Sequence, residues 1–186
     1  MTQSSPEPLR VDERTILRPF RDADAAPLFA LVDANRAHLR RWLPWVDGAS
    51  DVASIREFLR GVQARAAEGT SLELAIEHAG ELAGVAGFRS LDTSNRAGEL
   101  GYWLREDRGG RGVMTACCRA LVRHGFESLG LNRISLAAAA ENARSRRVAE
   151  RLGFRLDGVL RDAEWLYDRF VDHAVYSLLR RDEPGA

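Results

Sequence analysis

The residues best suited to chemistry lie in two stretches. From Glu99 to Thr115 the chain reads Glu-Leu-Gly-Tyr-Trp-Leu-Arg-Glu-Asp-Arg-Gly-Gly-Arg-Gly-Val-Met-Thr. Its first half favours a strand through Leu100, Tyr102, Trp103 and Leu104. Its second half sets Gly109, Gly110 and Gly112 before an amphipathic run that begins near Val113. The first turn of a helix has unpaired N–H groups, and its dipole favours an anion. Glycines let those N–H groups approach a ligand closely. Strand, glycine loop, helix is therefore a geometry for phosphate. The second stretch, Asp162-Ala-Glu-Trp165, puts carboxylates on another strand-like run.

Two familiar phosphate fingerprints fail. A P-loop needs Gly-Lys-Ser/Thr, and the 27 basic residues here are all arginine. A dinucleotide loop needs Gly-x-Gly-x-x-Gly, but Thr115 stands three residues after Gly112. The pattern Gln/Arg-x-x-Gly-x-Gly/Ala fits when aligned on Gly112, with Gly109 and Met114 at its first and last positions. Gly101-Tyr-Trp-Leu104, Gly110-Arg-Gly-Val-Met-Thr115, Gly130-Leu-Asn-Arg133, Asn142-x-x-Ser145, Arg151-Leu-Gly-Phe154, Gly158-Val-Leu-Arg161 and Ala163-Glu-Trp-Leu166 follow in order. Together they resemble the RimJ/RimL branch of the GNAT superfamily of N-acetyltransferases, over residues 14 to 181.

The resemblance implies an α/β (α+β) fold with a mixed, mainly antiparallel twisted sheet, helices on both faces and a splayed acetyl-CoA cleft. It also implies direct transfer of acetyl from acetyl-CoA to a primary amine, with no metal. Backbone groups of Tyr102, Trp103 and Leu104 would pair with pantetheine. The N–H groups of Arg111, Gly112, Val113, Met114 and Thr115 would hold the phosphates, with the Thr115 hydroxyl as an added contact. Gly109 replaces a Gln or Arg, so Arg108 or Arg111 would supply the missing side-chain contact. The plainer reading of Gly109 and Gly110 is a strand-to-helix turn.

Many relatives place a tyrosine seven residues after the asparagine to protonate the thiolate. Here that position is Ala149. RimL-like proteins use the serine three residues after it, which is Ser145. The plainer reading is that Asn142 caps a helix and Ser145 supports its first turn. Glu164 matches the RimL-like base, where burial beside Trp165 would help it. Glu99 matches the position used in other branches. Strand alternation adds Asp162 on the Glu164 face as a third choice. A solvated strand charge is the plainer reading of each. Trp42 and Trp45 either wall the amine side or belong to the core.

The leading acceptor is a protein N-terminal amine, whose pKa of about 8 makes deprotonation easier than for lysine at about 10.4. A small-molecule amine, a different short acyl-CoA, or a CoA-binding module without activity are the alternatives. The resemblance leaves a homodimer open.

The rest of the chain bounds this reading. At 186 residues with 45% apolar and 29% charged content, one domain with one good core is expected. Zero net charge gives no pull toward nucleic acid or anionic membrane. No apolar run reaches the ~18 residues of a membrane span. The first residues, Met1-Thr-Gln-Ser-Ser-Pro-Glu-Pro8, lack an apolar signal core, and cytoplasm is the default. Cys117 and Cys118 read as small buried hydrophobes, and His38, His78, His124 and His173 show no metal-ligand spacing. Residues 1–13 read as a loose arm, 14–181 as the domain and 182–186 as a tail. The predicted order is β-α-α-β-β-β-α-β-α-β-β, with the first helix running from Asp22 past Leu39 to Trp42.

Overall fold

The computed structural model describes residues 7–182. Runs rich in β-branched, aromatic and aliphatic residues form β1 (Leu9–Arg10), β2 (Thr15–Arg18), β3 (Leu72–His78), β4 (Glu81–Asp92), β5 (Ala97–Leu104), β6 (Arg133–Ala139), β7 (Arg155–Leu166) and β8 (Arg169–Leu179). They make one eight-stranded sheet in the order β1-β2-β3-β4-β5-β6-β8-β7. Only β5 and β6 are parallel neighbours; every other pair is antiparallel. The helices are α1 (Ala25–Ala34), α2 (Arg36–Leu39), α3 (Val52–Ala67), α4 (Val113–Glu127) and α5 (Ala143–Arg151).

Both sheet faces are covered. On one, Leu121 and Phe126 of α4 and Val148 of α5 pack with Phe88, Ile134, Leu136 and Tyr176. On the other, Leu28 and Val32 of α1 and Ile55, Leu59 and Val62 of α3 pack against Ala75 and Val85. Each buried aliphatic side chain contributes about 1.5–3 kcal/mol of transfer free energy. Cys117 and Cys118 lie in the first cluster as free thiols, and burial pushes the Cys117 thiol up to about 12. Both are therefore protonated packing groups.

Arg18 and Asp24 form the most deeply buried ion pair among the described residues, at 2.7 Å. Arg18 Nε also donates to Glu77 at 2.7 Å. Burial works against the Asp24 carboxylate, but the Arg18 guanidinium and the Arg21 N–H outweigh it and hold its pKa below the usual range. This cluster fastens the entry of α1 to β2 and β3.

Two expectations change. The arm is ordered from Glu7 onward, and Leu9–Arg10 pairs with β2 at the sheet edge; residues 1–6 and 183–186 lie outside the described residues. A two-residue strand has no periodicity to read. The first helix does not continue to Trp42 but breaks at Asn35. The Asn35 side chain donates to Leu31 O at 2.8 Å and accepts from the Glu106 N–H at 2.9 Å. An asparagine that offers the backbone other partners favours such a break, and here it ties α1 to the loop after β5.

Besides a register shift between Leu156 and Gly158, two irregularities shape the C-terminal hairpin. Between Leu160 and Glu164 the β7 register slips: Leu160 faces His173, but Glu164 faces Val171. Asp162 within this bulge has φ +49°, and its N–H donates to Asp172 Oδ1 at 2.9 Å. At the hairpin tip Tyr167 has φ +61°, and the Asp168 N–H reaches back to Leu166 O at 2.8 Å. A positive φ is strained for an aromatic residue. Outside contacts hold it: Tyr167 Oη donates to Leu43 O at 2.6 Å, and the Arg40 guanidinium lies 3.8 Å over its ring.

Candidate active site

The site begins where β5 and β6 part. Their pairing runs from Ala97–Arg133 to Leu100–Leu136 and stops there. Gly101–Leu104 stay paired with β4, and Ala137–Ala139 stay paired with β8. Their facing edges therefore lack a partner strand. Buried backbone groups need partners, so the opening suits an extended ligand with amides of its own. A cleft of about 490 Å³ runs through it, and Gly101, Tyr102, Trp103, Leu104 and Ala137 to Ala139 line it.

At one end of the cleft stands the N-terminus of α4. Gly112 caps it with φ +82°, and Gly110 before it has φ +75°. Both angles favour glycine. Gly109 is different: its φ is −65°, so any residue could adopt its backbone, although an added Cβ would sit 3.1 Å from Glu106 O. Arg108 lines the cleft and Arg111 does not. Arg108 Nε is buried with no hydrogen-bond partner among the described residues, while its Nη2 donates to Glu81 Oε2 at 3.2 Å. An orphan donor beside a helix N-terminus fits an anionic group. Met114 is 9% exposed, packs in the core and also lines the cleft. Thr115 and Val113 line the cleft.

Asn142 does cap α5, its Oδ1 accepting the Ser145 N–H at 3.1 Å. That leaves the Ser145 hydroxyl unused by the cap. Its Oγ lies 2.9 Å from Tyr102 Oη, which reaches across from β5. Burial raises the Tyr102 pKa well above its ordinary value, so the phenol stays protonated. Ala149, seven residues after Asn142, is fully buried.

The three carboxylates separate. Glu164 lines the cleft; Glu99 and Asp162 do not. Glu99 Oε1 is held by Arg89 Nη2 at 2.6 Å. The expected alternation between Asp162 and Glu164 fails because the bulge lies between them. Trp165 does not bury Glu164 either: it is 53% exposed and packs edge-on against Phe170, with ring centroids 4.8 Å apart. The cleft neighbour that Glu164 does have is His173, with Nε2 3.4 Å from Oε2. Sequence reading missed this pair, because the two residues lie on different strands of a bulged hairpin. Trp42 and Trp45 both line the cleft, and Trp45 tilts against Trp103 at 5.9 Å between centroids. At 39% exposure Trp45 is a wall of the cleft rather than core.

A sheet that parts between parallel neighbours, with a helix N-terminus facing the gap, defines a class of protein built to hold an extended phosphorylated acyl carrier. The sequence profile of the acetyltransferase (GNAT) domain matches residues 14–155. The chain is 34% identical to the putative ribosomal N-acetyltransferase YdaF of Bacillus subtilis, covering 95% of this chain and 97% of that protein. It is 30% identical to the ribosomal-protein-serine acetyltransferase of Escherichia coli, covering 92% and 96%. Among solved structures, RimL, a ribosomal L7/L12 alpha-N-protein acetyltransferase in complex with coenzyme A, superimposes with a TM-score of 0.90 at 28% identity, covering 93% and 98%. This chain belongs to the GNAT acetyltransferase family and is an N-acetyltransferase that uses acetyl-CoA. Among the described residues, no helix is long and apolar enough to cross a membrane, and no group of three or more side chains is arranged to hold a metal.

Proposed function

We propose that the acceptor is the free α-amine of a protein N-terminus, with Glu164 receiving the amine proton and Ser145 facing the departing sulfur. The observation that carries this reading is the cleft itself, which opens at the β5–β6 parting and which Glu164 and Ser145 both line. The E. coli relative named for ribosomal-protein serine and the RimL structure support a protein acceptor. So does chemistry, because an α-amine loses its proton near pH 8, within reach of a carboxylate assisted by water.

In this reading Gly101–Leu104 offer unpaired backbone groups to the pantetheine arm. The first-turn N–H groups of α4 and the orphan Arg108 Nε face the phosphates. Bound acetyl-CoA supplies an activated thioester carbonyl. Glu164 takes a proton from the amine directly or through one water. Tyr102 Oη lies 2.9 Å from Ser145 Oγ and 3.3 Å from the Ser145 carbonyl oxygen, so a phenol O–H that donates to Oγ would leave the Ser145 O–H free to turn toward sulfur. Trp42, Trp45 and Trp103 wall the approach.

The test is incubation with acetyl-CoA and two acceptor sets: peptides with free Ser, Ala or Met N-termini, and small amines, including polyamines and amino acids. Thiol release and product mass are the readouts. The proposal expects α-acetylated peptides to dominate. Turnover confined to small amines would overturn the protein-acceptor reading.

A further inference from the structure

We propose that His173 is a positioning residue for Glu164, a role that rests on the reading of Glu164 as the base. The argument starts from the β7 bulge. Residues directly opposite in an antiparallel pair share a face, and residues two apart along a strand share it too. His173 and Val171 are two apart on β8, and Glu164 faces Val171. Glu164 and His173 are therefore diagonal neighbours on one face, and that face is the cleft. In unbroken register Asp162 would have faced Val171 instead. The slip, with Asp162 in a left-handed conformation and its N–H held by Asp172 Oδ1, brings Glu164 beside the imidazole.

The partner's chemistry matters. Glu99, which does not line the cleft, is held by the guanidinium of Arg89, a donor that is always charged. Glu164 is the carboxylate paired with an imidazole. An imidazole N–H can donate to a carboxylate and fix its orientation without supplying a permanent countercharge. Glu164 thereby keeps a fixed geometry and a free oxygen for the amine proton. At 3.4 Å the Nε2–Oε2 contact is long for a hydrogen bond. Contacts of this kind in ligand-free sites commonly tighten when substrate arrives. The surroundings favour the role: the His173 side chain is 19% exposed and that of Glu164 27%, so both are restrained yet open to the cleft.

The experiment compares wild type, His173→Ala, His173→Gln, Glu164→Gln and the His173→Ala/Glu164→Gln double variant. A peptide with an N-terminal serine is the probe acceptor, and the CoA affinity of each protein is measured by calorimetry. His173→Ala is expected to lower kcat by about ten- to a hundredfold, the scale of a small misplacement of a reacting group. KM for the peptide and the CoA affinity should stay within about twofold. His173→Gln retains an N–H donor and is expected to recover most of the lost kcat. The double variant should be no slower than Glu164→Gln alone, because His173 acts through that carboxylate. Full activity in His173→Ala alongside an impaired Glu164→Gln overturns the His173 role and leaves Glu164 standing. An unimpaired Glu164→Gln overturns both. Equal slowing by His173→Ala in the wild-type and Glu164→Gln backgrounds also overturns the role, as does a Gln variant no better than Ala.

Discussion

Tyr102 Oη and Ser145 Oγ stand 2.9 Å apart, joining β5 to the first turn of α5 across the parted sheet. The chain has alanine where many relatives carry a tyrosine, yet a phenol still reaches this end of the cleft, from a different strand. Tyr102→Phe keeps the ring packed and removes the hydroxyl. Losing one neutral hydrogen bond of roughly 1 kcal/mol should lower turnover about fivefold. Ser145→Ala should do more, at or below the bottom of the about 10²–10⁴-fold range of general acids. The double variant should match Ser145→Ala alone. Single-turnover rates at saturating acetyl-CoA check this. Independent, multiplying losses would show that the phenol acts elsewhere.

Glu164→Gln keeps size and removes charge. Turnover should fall by about a hundredfold near neutral pH, within the usual span for a general base. Because the amine itself deprotonates near pH 8, the deficit should shrink as pH rises above that value. Glu99→Gln frees Arg89 but touches no cleft-lining carboxylate, so its profile should follow wild type. Rate–pH profiles of the three proteins decide between the carboxylates.

The loop glycines are not equivalent. Gly112 needs its left-handed φ, and nothing in the protein lies within 4 Å of an added Cβ. Gly112→Val should therefore act through backbone strain, at least ~1–2 kcal/mol, and through crowding of the phosphates. CoA affinity measured by calorimetry should drop by more than about tenfold, since 1.4 kcal/mol is one decade. Gly109 has an ordinary φ, so Gly109→Gln should hold or tighten binding, by up to roughly 1 kcal/mol. A clear loss there would mean that the 3.1 Å approach to Glu106 O cannot relax.

Acid stability should report on Asp24. Its pKa is lowered in the fold, so its contribution is present above the ordinary carboxylate value of about 3.9 and disappears as pH falls through the lowered one. Asp24→Asn leaves Arg18 half-paired in a buried site and should cost about 3 kcal/mol or more at pH 7. Thermal melts from pH 7 down to pH 3 should show the deficit at neutrality and its narrowing at the acid end. A constant deficit across that range would show that packing, not the ion pair, is what the substitution disturbs.

Local signals in the sequence were enough for the elements that carry the cleft. Gly112 before Val113 marked the start of α4, Asn142 marked the start of α5, and Gly153 marked its end at φ +82°. Each rests on one residue's backbone preference. What depends on pairing between distant segments was not legible. His173 beside Glu164 needs both the hairpin and its two-residue slip, and alternation alone put Asp162 on the wrong footing. Tyr102 read as a backbone contributor, because its hydroxyl meets Ser145 only after 43 residues have folded back. Asn35 looked like a mid-helix residue, because its partner Glu106 is 71 residues away.

Past Leu100 the two central strands no longer hold each other. In a protein whose sheet is otherwise continuous, this is where the native state is left open to be completed by something else. An acyl carrier lying in the gap would bridge β5 to β6, so its binding free energy would add to that of folding. At a hundredfold excess over its dissociation constant the gain is about 2.7 kcal/mol. The enzyme's lifetime against heat and proteolysis would then be tied to the supply of its own donor, with abundant acetyl-CoA protecting the chain and scarcity exposing it.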